Sequence, residues 1–460
     1  ALLRTSPAVS LQALSTTFED AHRKWGKTAE TTRRLIRAYL DSPNNIVERG
    51  VAGVAGAVGA TPVVLVPETH HYCFEKVMDV LGFGRRALVS VRVGPDFRME
   101  VGDLAEKLDQ AEGCGRDILA VIPVIGSTEE GAVDPVDQIV ELRAQREAAG
   151  LGSFWIHADA AYGGYLRTMT RPYRIGLGDP HTEVQIGGQV RRIPLQLPEH
   201  SACDALERLG DCDSITIDPH KLGFIPYPAG AVCFRTNLVK PIARQEAPYL
   251  DGVASDVEAE RTSQSIGLYI LEGSKPGAAA AAVWLSHRLI PLDNTGHGLL
   301  VRETIRNACE LHALLEGYPR LVPGQTVRAV CLCPPGSNIV CYAFRPDAEG
   351  VSLAHINTLN ERVYNRFTLQ QDERVYNHSF FVSRTTLSQE RYSTAAAGIT
   401  ERLGAAPEDY LKHGVFLLRS VLMNPWYGEA KRRGRYFLAE LTCDLYRAAE
   451  GEGGRLCFGA

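Results

Sequence analysis

The sequence lacks any stretch suited to crossing a membrane or directing secretion. No run of about 18 apolar residues occurs, so no transmembrane helix is predicted. No signal-peptide pattern is found near the start of the chain either. We therefore expect no membrane partner.

Basic clusters and paired cysteine motifs are also missing. Lys and Arg number 49 against 54 Asp and Glu, a formal net charge of −5, and no basic run is interleaved with aromatic residues. Nucleic acid is therefore not an expected partner.

The eleven cysteines are irregularly spaced. Their one close pair, Cys331 and Cys333, has no second pair, so no metal site is predicted. Scattered reduced thiols favour a cytoplasmic location.

The residues that are present indicate a globular protein of more than one domain. Hydrophobic residues make up 45% of the 460 positions and charged residues 22%, which is typical of soluble globular proteins. Because this length exceeds one simple core, we predict an N-terminal helical segment over residues 1–60, a large domain over 61–300 and a smaller α+β domain over 301–460. The chain begins at Ala1 instead of Met, so the first segment is expected to be incomplete.

From residue 61 onward, strands alternate with helices. Apolar and β-branched runs predict strands at residues 63–66, 87–93, 118–125, 154–158, 214–217 and 230–234. Helical spacing predicts helices at residues 72–81, 101–111 and 136–149. This alternation predicts an α/β fold with a mainly parallel, doubly wound sheet that binds ligands at the carboxyl ends of its strands.

Other regions give less regular signals. The Gly/Ala/Val run at residues 50–60 fits either a helix or a Gly-rich loop, and the Pro/Gly/Arg-rich residues 164–209 suggest an insertion at the edge of the sheet. Residues 278–289 predict an Ala-rich helix whose small side chains permit close packing. In the smaller domain, a helix is predicted at 303–316, strands at 327–333 and 339–344, and helices from there to the end.

The predicted strand 214–217 ends in a stretch that contains a candidate catalytic lysine. Asp218 and Pro219 stop the strand, and His220 and Lys221 follow at its carboxyl end. A lysine held there can form a Schiff base, because desolvation favours the neutral amine. A solvated loop lysine is the competing interpretation.

Two other strand ends carry unusual polar residues. His70 and His71 follow the first strand, where a histidine could stack on a flat cofactor ring or simply begin a helix. The strand 154–158 runs into Asp159, and a buried carboxylate there needs a cationic partner such as a protonated pyridine nitrogen. Ala161, two residues on, would let a ring lie close. The alternative is that Asp159 caps the following helix.

Taken in order, these motifs resemble the group II pyridoxal 5'-phosphate (PLP)-dependent amino-acid decarboxylases, and most of all the bacterial tyrosine decarboxylases. The resemblance extends from about residue 62 to the C-terminus. The matching stretches begin with Val66-Pro67-Glu68-Thr69-His70-His71-Tyr72 and continue with Gly126-Ser127-Thr128-Glu129-Glu130-Gly131-Ala132-Val133-Asp134, His157-Ala158-Asp159-Ala160-Ala161-Tyr162-Gly163-Gly164, Asp218-Pro219-His220-Lys221, Ile225-Pro226-Tyr227 and Leu271-Glu272-Gly273-Ser274-Lys275-Pro276-Gly277. The resemblance implies the aspartate-aminotransferase-like fold (fold type I).

The resemblance also implies roles around the cofactor. Lys221 corresponds to the Schiff-base lysine and His220 to a phosphate ligand. Asp159 would pair with the pyridine nitrogen, Ala161 would lie beneath the ring, and His71 would stack on its other face.

Further roles follow for the substrate side and the subunit interface. Thr128 would lie near the ring oxygen of the cofactor and the substrate carboxylate, and Arg419 would lie near that carboxylate too. Tyr227, on a lid formed by residues 224–229, corresponds to the tyrosine that protonates the intermediate. Gly273 and Ser274 resemble phosphate contacts from the other subunit, so a homodimer with active sites at the interface is expected.

One element of the family pattern is missing. No Ser/Thr-Gly-Gly-Thr/Ser phosphate loop occurs before Thr61, and the run at residues 50–60 lacks the hydroxyl groups. Either part of the phosphate cup has been lost or residues are missing from the sequence, and we expect the latter because the other elements are intact.

The expected activity is decarboxylation of an L-amino acid, with a tyrosine-like aromatic substrate favoured. Several alternatives remain open. A glutamate or other acidic amino-acid decarboxylase would share the core residues. Residues 225–227 disfavour a carbon–carbon lyase that acts on phosphorylated amino alcohols. The retained Tyr227 disfavours a decarboxylating oxidase. A degenerate, non-catalytic homologue is supported only by the missing loop.

Overall fold

The computed structural model describes residues 42, 46–186, 189–198, 200–236, 239, 267–272, 274–371, 373–392 and 394–451. Its strands are, in chain order, β1 (Pro62–Pro67), β2 (Leu88–Val91), β3 (Asp117–Val121), β4 (Trp155–Asp159), β5 (His181–Ile186), β6 (Gln189–Pro194), β7 (Ser214–Ile217), β8 (Ala231–Phe234), β9 (Val327–Cys331), β10 (Ile339–Pro346), β11 (Ser383–Leu387) and β12 (Val415–Val421). Its helices are α1 (Ile46–Val58), α2 (Cys73–Val80), α3 (Val101–Gly113), α4 (Val136–Ala148), α5 (His200–Glu207), α6 (Ala278–Leu289), α7 (His297–Leu321), α8 (Leu353–Arg366), α9 (Gln389–Tyr392), α10 (Ala397–Arg402), α11 (Pro407–His413), α12 (Tyr427–Arg432) and α13 (Phe437–Glu450).

A six-stranded sheet in the order β2-β1-β3-β4-β7-β8 forms the centre of the first part of the chain. Its first five strands are parallel, and β8 pairs antiparallel with β7. Along β1 the side chains alternate between two apolar cores, with Val63 and Leu65 in one and Val64 and Val66 in the other. A strand buried on both faces has this run of apolar residues because helices cover both sides of a parallel sheet. The predicted mainly parallel sheet is thus confirmed.

A second sheet, in the order β11-β12-β10-β9, is entirely antiparallel. Strand β10 has the same two-sided burial: Val340, Tyr342 and Phe344 face one core, and Cys341 and Ala343 face the other. Strands β11 and β12 lie in the region where the sequence predicted only helices, and that prediction was wrong. Hydrophobic alternation in short segments does not by itself separate a buried strand from a buried helix.

Helix α7 joins the two sheets, because Val301 and Ile305 pack in the core of the first and Leu311 and Leu314 in the core of the second. The predicted domain boundary at residue 301 falls inside this helix. The division into domains there stays a prediction. The region 164–209, predicted as an insertion at the sheet edge, contains a separate hairpin of β5 and β6 followed by α5. This hairpin is held on α7 by Arg306, whose guanidinium donates to the carbonyl of His181 at 3.0 Å.

Two further regions bear on the sequence predictions. The undecided run at residues 50–60 is mostly helical, as part of α1, which breaks at Gly50 where φ is 65°. Helix α6 has the predicted bounds, but none of its residues is buried among the described part of the chain. None of the described helices combines the length and apolar character that a membrane crossing requires.

Candidate functional site

The carboxyl ends of β4 and β7 form the base of the candidate site. The two strands are parallel neighbours, and Asp159 is paired in register with Thr216. The His157 ring spans them: Nδ1 lies 2.7 Å from Ser214 Oγ, and Nε2 lies 3.0 Å from Thr216 Oγ1. Because both strands are fixed side by side, the residues that follow them emerge next to each other at one edge of the sheet.

Lys221 is positioned by a turn that begins where β7 ends. The Asp218 N–H donates to the carbonyl of Ala161 at 3.1 Å, which ties the two strand ends together, and the Lys221 N–H donates to the carbonyl of Asp218 at 3.0 Å. Lys221 Nζ lies 3.0 Å from Asp218 Oδ2, and the lysine side chain is 37% exposed. The sequence interpretation assumed that the Lys221 amine is buried away from water. In this structure the side chain is instead partly exposed and its amine is ion-paired.

Two glycines allow the close approach of these loops. A Cβ atom on Gly163 would lie 2.4 Å from the carbonyl oxygen of Ile125, and one on Gly223 would lie 2.5 Å from the ring of Tyr165. Both distances are shorter than real Cβ contacts, so a larger residue would force the loops after β3, β4 and β7 apart. The glycines of the sequence motifs are thus explained by backbone packing at the site.

Asp159 is half-buried and has no ion-pair partner among the described residues. Its Oδ1 accepts a hydrogen bond from the Ala161 N–H at 3.2 Å, which is the local turn expected from the capping alternative. That contact uses one carboxylate oxygen and leaves the other for a ligand. A partly buried carboxylate without a cation fits a cationic group brought in by a ligand.

His71 lies within electrostatic range of both Asp159 and Lys221. Its Nδ1 accepts a hydrogen bond from the Cys73 N–H at 3.2 Å, at the start of α2. Burial lowers the pKa of His71, Lys221 and Arg391 lower it further, and Asp159 opposes the change. The structure therefore brings His71 near both Asp159 and Lys221, and their shared role at one site stays a prediction.

Arg391 is a site residue that the sequence reasoning missed. It lies on α9, and its guanidinium donates to the carbonyl of Glu68 at 3.3 Å and to the carbonyl of His70. Arg391 thereby joins the second half of the chain to the turn that carries His71. No sequence signal could have identified it, because more than 300 residues separate it from the turn.

Arg419 reaches the same region from β12. Its Nε donates to the carbonyl of Glu129 at 3.2 Å and its Nη1 to Ser383 Oγ at 3.1 Å. Glu129 also contributes to the pKa of His71, and Thr128, its neighbour, is exposed. Arg419 thus contacts, from β12, the loop that carries Thr128.

The loop of residues 126–134 is held by buried carboxyl groups. Ser127 Oγ donates to Glu130 Oε2 at 2.8 Å and accepts from the Ala132 N–H at 3.0 Å. Asp134 accepts from the N–H groups of Met99 and Val124, each at 2.7 Å. Burial raises the pKa of Asp134 to about 7. These acidic residues of the motif thus support the loop that carries Thr128.

The remaining predicted residues have fewer contacts. His220 is exposed, and its Nδ1 lies 2.6 Å from the carbonyl oxygen of Ala229. Tyr227 is 50% exposed, whereas Leu222 and Ile225 in the same stretch are buried. Ala161 is half-buried beside Asp159, and Ser274 is exposed in the turn before α6. Gly273 lies outside the described residues.

Comparison with protein families gives two matches. Residues 38–178 match the pyridoxal-dependent decarboxylase conserved domain. Residues 307–442 match the C-terminal region of tyrosine decarboxylase.

Curated relatives include bacterial L-tyrosine decarboxylases. That of Enterococcus faecium is 34% identical over 373 residues, which cover 79% of this chain and 59% of the relative. That of Levilactobacillus brevis is 32% identical over 373 residues, with 79% and 58% covered. The aspartate 1-decarboxylase of Aliivibrio fischeri is 26% identical, with 72% and 51% covered. The chain thus spans less than two thirds of the length of these relatives.

Solved structures share the fold. The apo form of mouse CSAD superposes with a TM-score of 0.59 at 18% identity, covering 87% of this chain and 66% of that one. Oryza sativa TDC with PLP and tryptamine superposes with a TM-score of 0.59 at 16% identity, covering 96% and 75%. The predicted fold class is confirmed by these neighbours together with the family matches.

Proposed function

Because the chain belongs to the pyridoxal-dependent decarboxylase family, we propose that it decarboxylates a tyrosine-like aromatic L-amino acid to the amine and carbon dioxide. The observation that carries the proposal is the grouping of an amine, a carboxylate and an imidazole beyond the carboxyl ends of β7, β4 and β1, contributed by Lys221, Asp159 and His71. The aromatic substrate is favoured by the tyrosine decarboxylases among the relatives.

The residues fit PLP on chemical grounds. Lys221 supplies an amine for the covalent link, and the Asp159 carboxylate, which lacks a cationic partner among the described residues, suits a protonated ring nitrogen. Ala161 and His71 are the residues proposed to contact the two faces of the ring. His220 and Ser274, together with Gly273, are the proposed phosphate contacts. When bound, the cofactor supplies an electron sink for the pair left on the α-carbon as the carboxylate departs.

The other residues act on the substrate and on its protons. Arg419 and Thr128 hold the substrate carboxylate, and the Arg419 guanidinium is oriented by its hydrogen bonds to Glu129 and Ser383. Tyr227 donates a proton from its hydroxyl to the α-carbon as general acid. The stretch around Tyr227 is anchored by buried Leu222 and Ile225, which lets the exposed part act as a lid that excludes water.

A homodimer and a cytoplasmic location are parts of the same proposal. Ser274 lies in the turn that leads into α6, so a phosphate contact across the interface would bring α6 close to the partner subunit. The ten cysteines of the described part are free thiols, which suits a reducing compartment.

Two measurements test the activity. Carbon dioxide release is expected with tyrosine, DOPA, phenylalanine or tryptophan and not with glutamate or aspartate; release from the acidic substrates alone would overturn the aromatic assignment. The visible absorption band of the lysine-linked cofactor is expected with the wild-type chain and not with Lys221→Ala. A wild-type chain that binds no PLP would instead support the non-catalytic homologue.

Tyr227→Phe tests the general acid. Amine formation is expected to fall by at least about 100-fold while the cofactor absorption band is retained, because only the proton donor is removed. Tyr376→Phe, at another exposed tyrosine, is the control and should keep wild-type activity. An unchanged rate in Tyr227→Phe would remove Tyr227 from this role.

A further inference from the structure

A cluster of metal-ligand side chains lies between α7 and β9. His312, Glu316 and Cys331 each offer one ligand atom, and these atoms all lie within 4.8 Å of one another. His312 is 3% exposed and Cys331 is fully buried. None of the three belongs to the proposed decarboxylase site. We propose that they bind one divalent transition-metal ion, of which Zn²⁺ suits the ligands best.

The backbone holds the three ligands in place. His312 and Glu316 are four residues apart on α7, so their side chains project from the same face of the helix. Cys331 is the last residue of β9, and its N–H donates to Glu316 Oε1 at 3.3 Å. This hydrogen bond fixes the carboxylate beside the end of the strand and leaves Oε2 for a cation.

The ligand types match zinc. Imidazole, carboxylate and thiolate are all common zinc ligands, and thiolate with imidazole disfavours Mg²⁺ and Ca²⁺. Metal–ligand bonds of about 2.0–2.3 Å place the ligand atoms of a tetrahedral site about 3–4 Å apart. A bound ion therefore requires the three ligand atoms to lie closer together than the 4.8 Å limit within which they are found, and the fourth position is left for a water molecule.

The ligand charges also suit a divalent ion. As the metal–sulfur bond forms, the Cys331 thiol releases its proton to solvent. The thiolate and the Glu316 carboxylate then offset the two positive charges of the ion. Arg402 donates to the carbonyl of Cys331 at 2.7 Å and to that of Leu332, and its positive charge also acts on His312 and Cys331, so the ion would bind beside a guanidinium.

The test uses the full chain saturated with PLP, kept reduced and stripped of metal with a chelator. Titration with Co²⁺ is expected to give the visible absorption of a tetrahedral centre at one ion per chain, and added Zn²⁺ should displace it. Zn²⁺ is also expected to raise the Tm, because the ion binds the folded state. His312→Gln and Cys331→Ser should each weaken metal binding by at least about tenfold.

Cys333→Ser is the matched control, because this thiol lies two residues beyond Cys331 and outside the cluster. It should bind Co²⁺ as the wild-type chain does. The proposal is overturned if the wild-type chain binds no stoichiometric Co²⁺ or Zn²⁺, or if His312→Gln binds them with unchanged affinity. If Cys331→Ser does not fold, His312→Gln decides the outcome. The test is independent of the proposed decarboxylase activity, since metal content and absorption are measured without substrate.

Discussion

At the scale of single residues, the environment of His71 decides which form of its imidazole is present. Burial and the positive charges of Lys221 and Arg391 lower the pKa of His71, against the opposing effect of Asp159. A neutral imidazole is suited to lie flat against a cofactor ring, whereas an imidazolium would compete with the ring nitrogen for the Asp159 carboxylate. Arg391 therefore favours the neutral form of His71 as well as fixing the turn that carries it.

Arg391→Gln is expected to raise the pKa of His71, because it removes a nearby positive charge. The measurement is an NMR pH titration of the His71 ring, assigned by comparison with His71→Gln. Arg384→Gln serves as the control, since Arg384 lies over the rings of Tyr364 and Phe416 and does not contribute to the pKa of His71. An unchanged His71 pKa in Arg391→Gln would contradict this electrostatic role.

At the scale of structural elements, the loop of residues 126–134 depends on a buried carboxyl group. Asp134 joins this loop to the backbone of Val124 and Met99. Its pKa is raised by burial from an ordinary value of 3.8 to about 7. Between these values the folded chain holds a proton that the unfolded chain has lost.

The contribution of Asp134 to the free energy of unfolding is therefore fully present below about pH 4 and is lost as the pH rises to about 7. We expect Asp134→Asn to remove this part of the pH dependence, so that the difference in unfolding free energy between wild type and variant falls from pH 4 to pH 7. Urea unfolding across that range measures it. Asp79→Asn, at an exposed carboxylate, is the control. A difference that rises with pH would contradict the assignment.

At the scale of the whole molecule, α6 presents a largely apolar surface to solvent within the described chain. Trp284 is 65% exposed, Leu285 52% and Leu289 72%, and no residue of the helix is buried. An isolated exposed leucine is common, whereas several on one helix suit an interface. If the proposed homodimer exists, α6 is expected to lie in its interface.

Leu289→Asp is expected to weaken self-association, because it places a charge in that interface. Sedimentation velocity over a range of protein concentrations measures the effect. Leu411→Asp, at a leucine of α11 that is 64% exposed, is the control and should sediment like the wild type. A Leu289→Asp chain that sediments like the wild type would exclude α6 from the interface.

Much of the first sheet could be predicted because its signals are local. The runs that form β1 and β7 are β-branched or apolar and are bounded by turn residues, so their positions follow from the sequence. Strands β11 and β12 could not be predicted in the same way. A short apolar run such as that of β12 fits a buried helix as well as a strand, and pairing with β10 and β11 makes it a strand.

The same distinction applies to the stretch that contains Lys221. The sequence by itself determined its strand, its turn and its resemblance to a catalytic motif, since these depend on neighbouring residues. The tertiary structure decided that His71 lies near Asp159 and Lys221, that Arg391 supports His71, and that Cys331 lies beside His312 and Glu316. From sequence, Cys331 had only Cys333 to pair with, and no metal site was predicted. Contacts between side chains distant along the chain depend on how elements pack, and local sequence does not specify that packing.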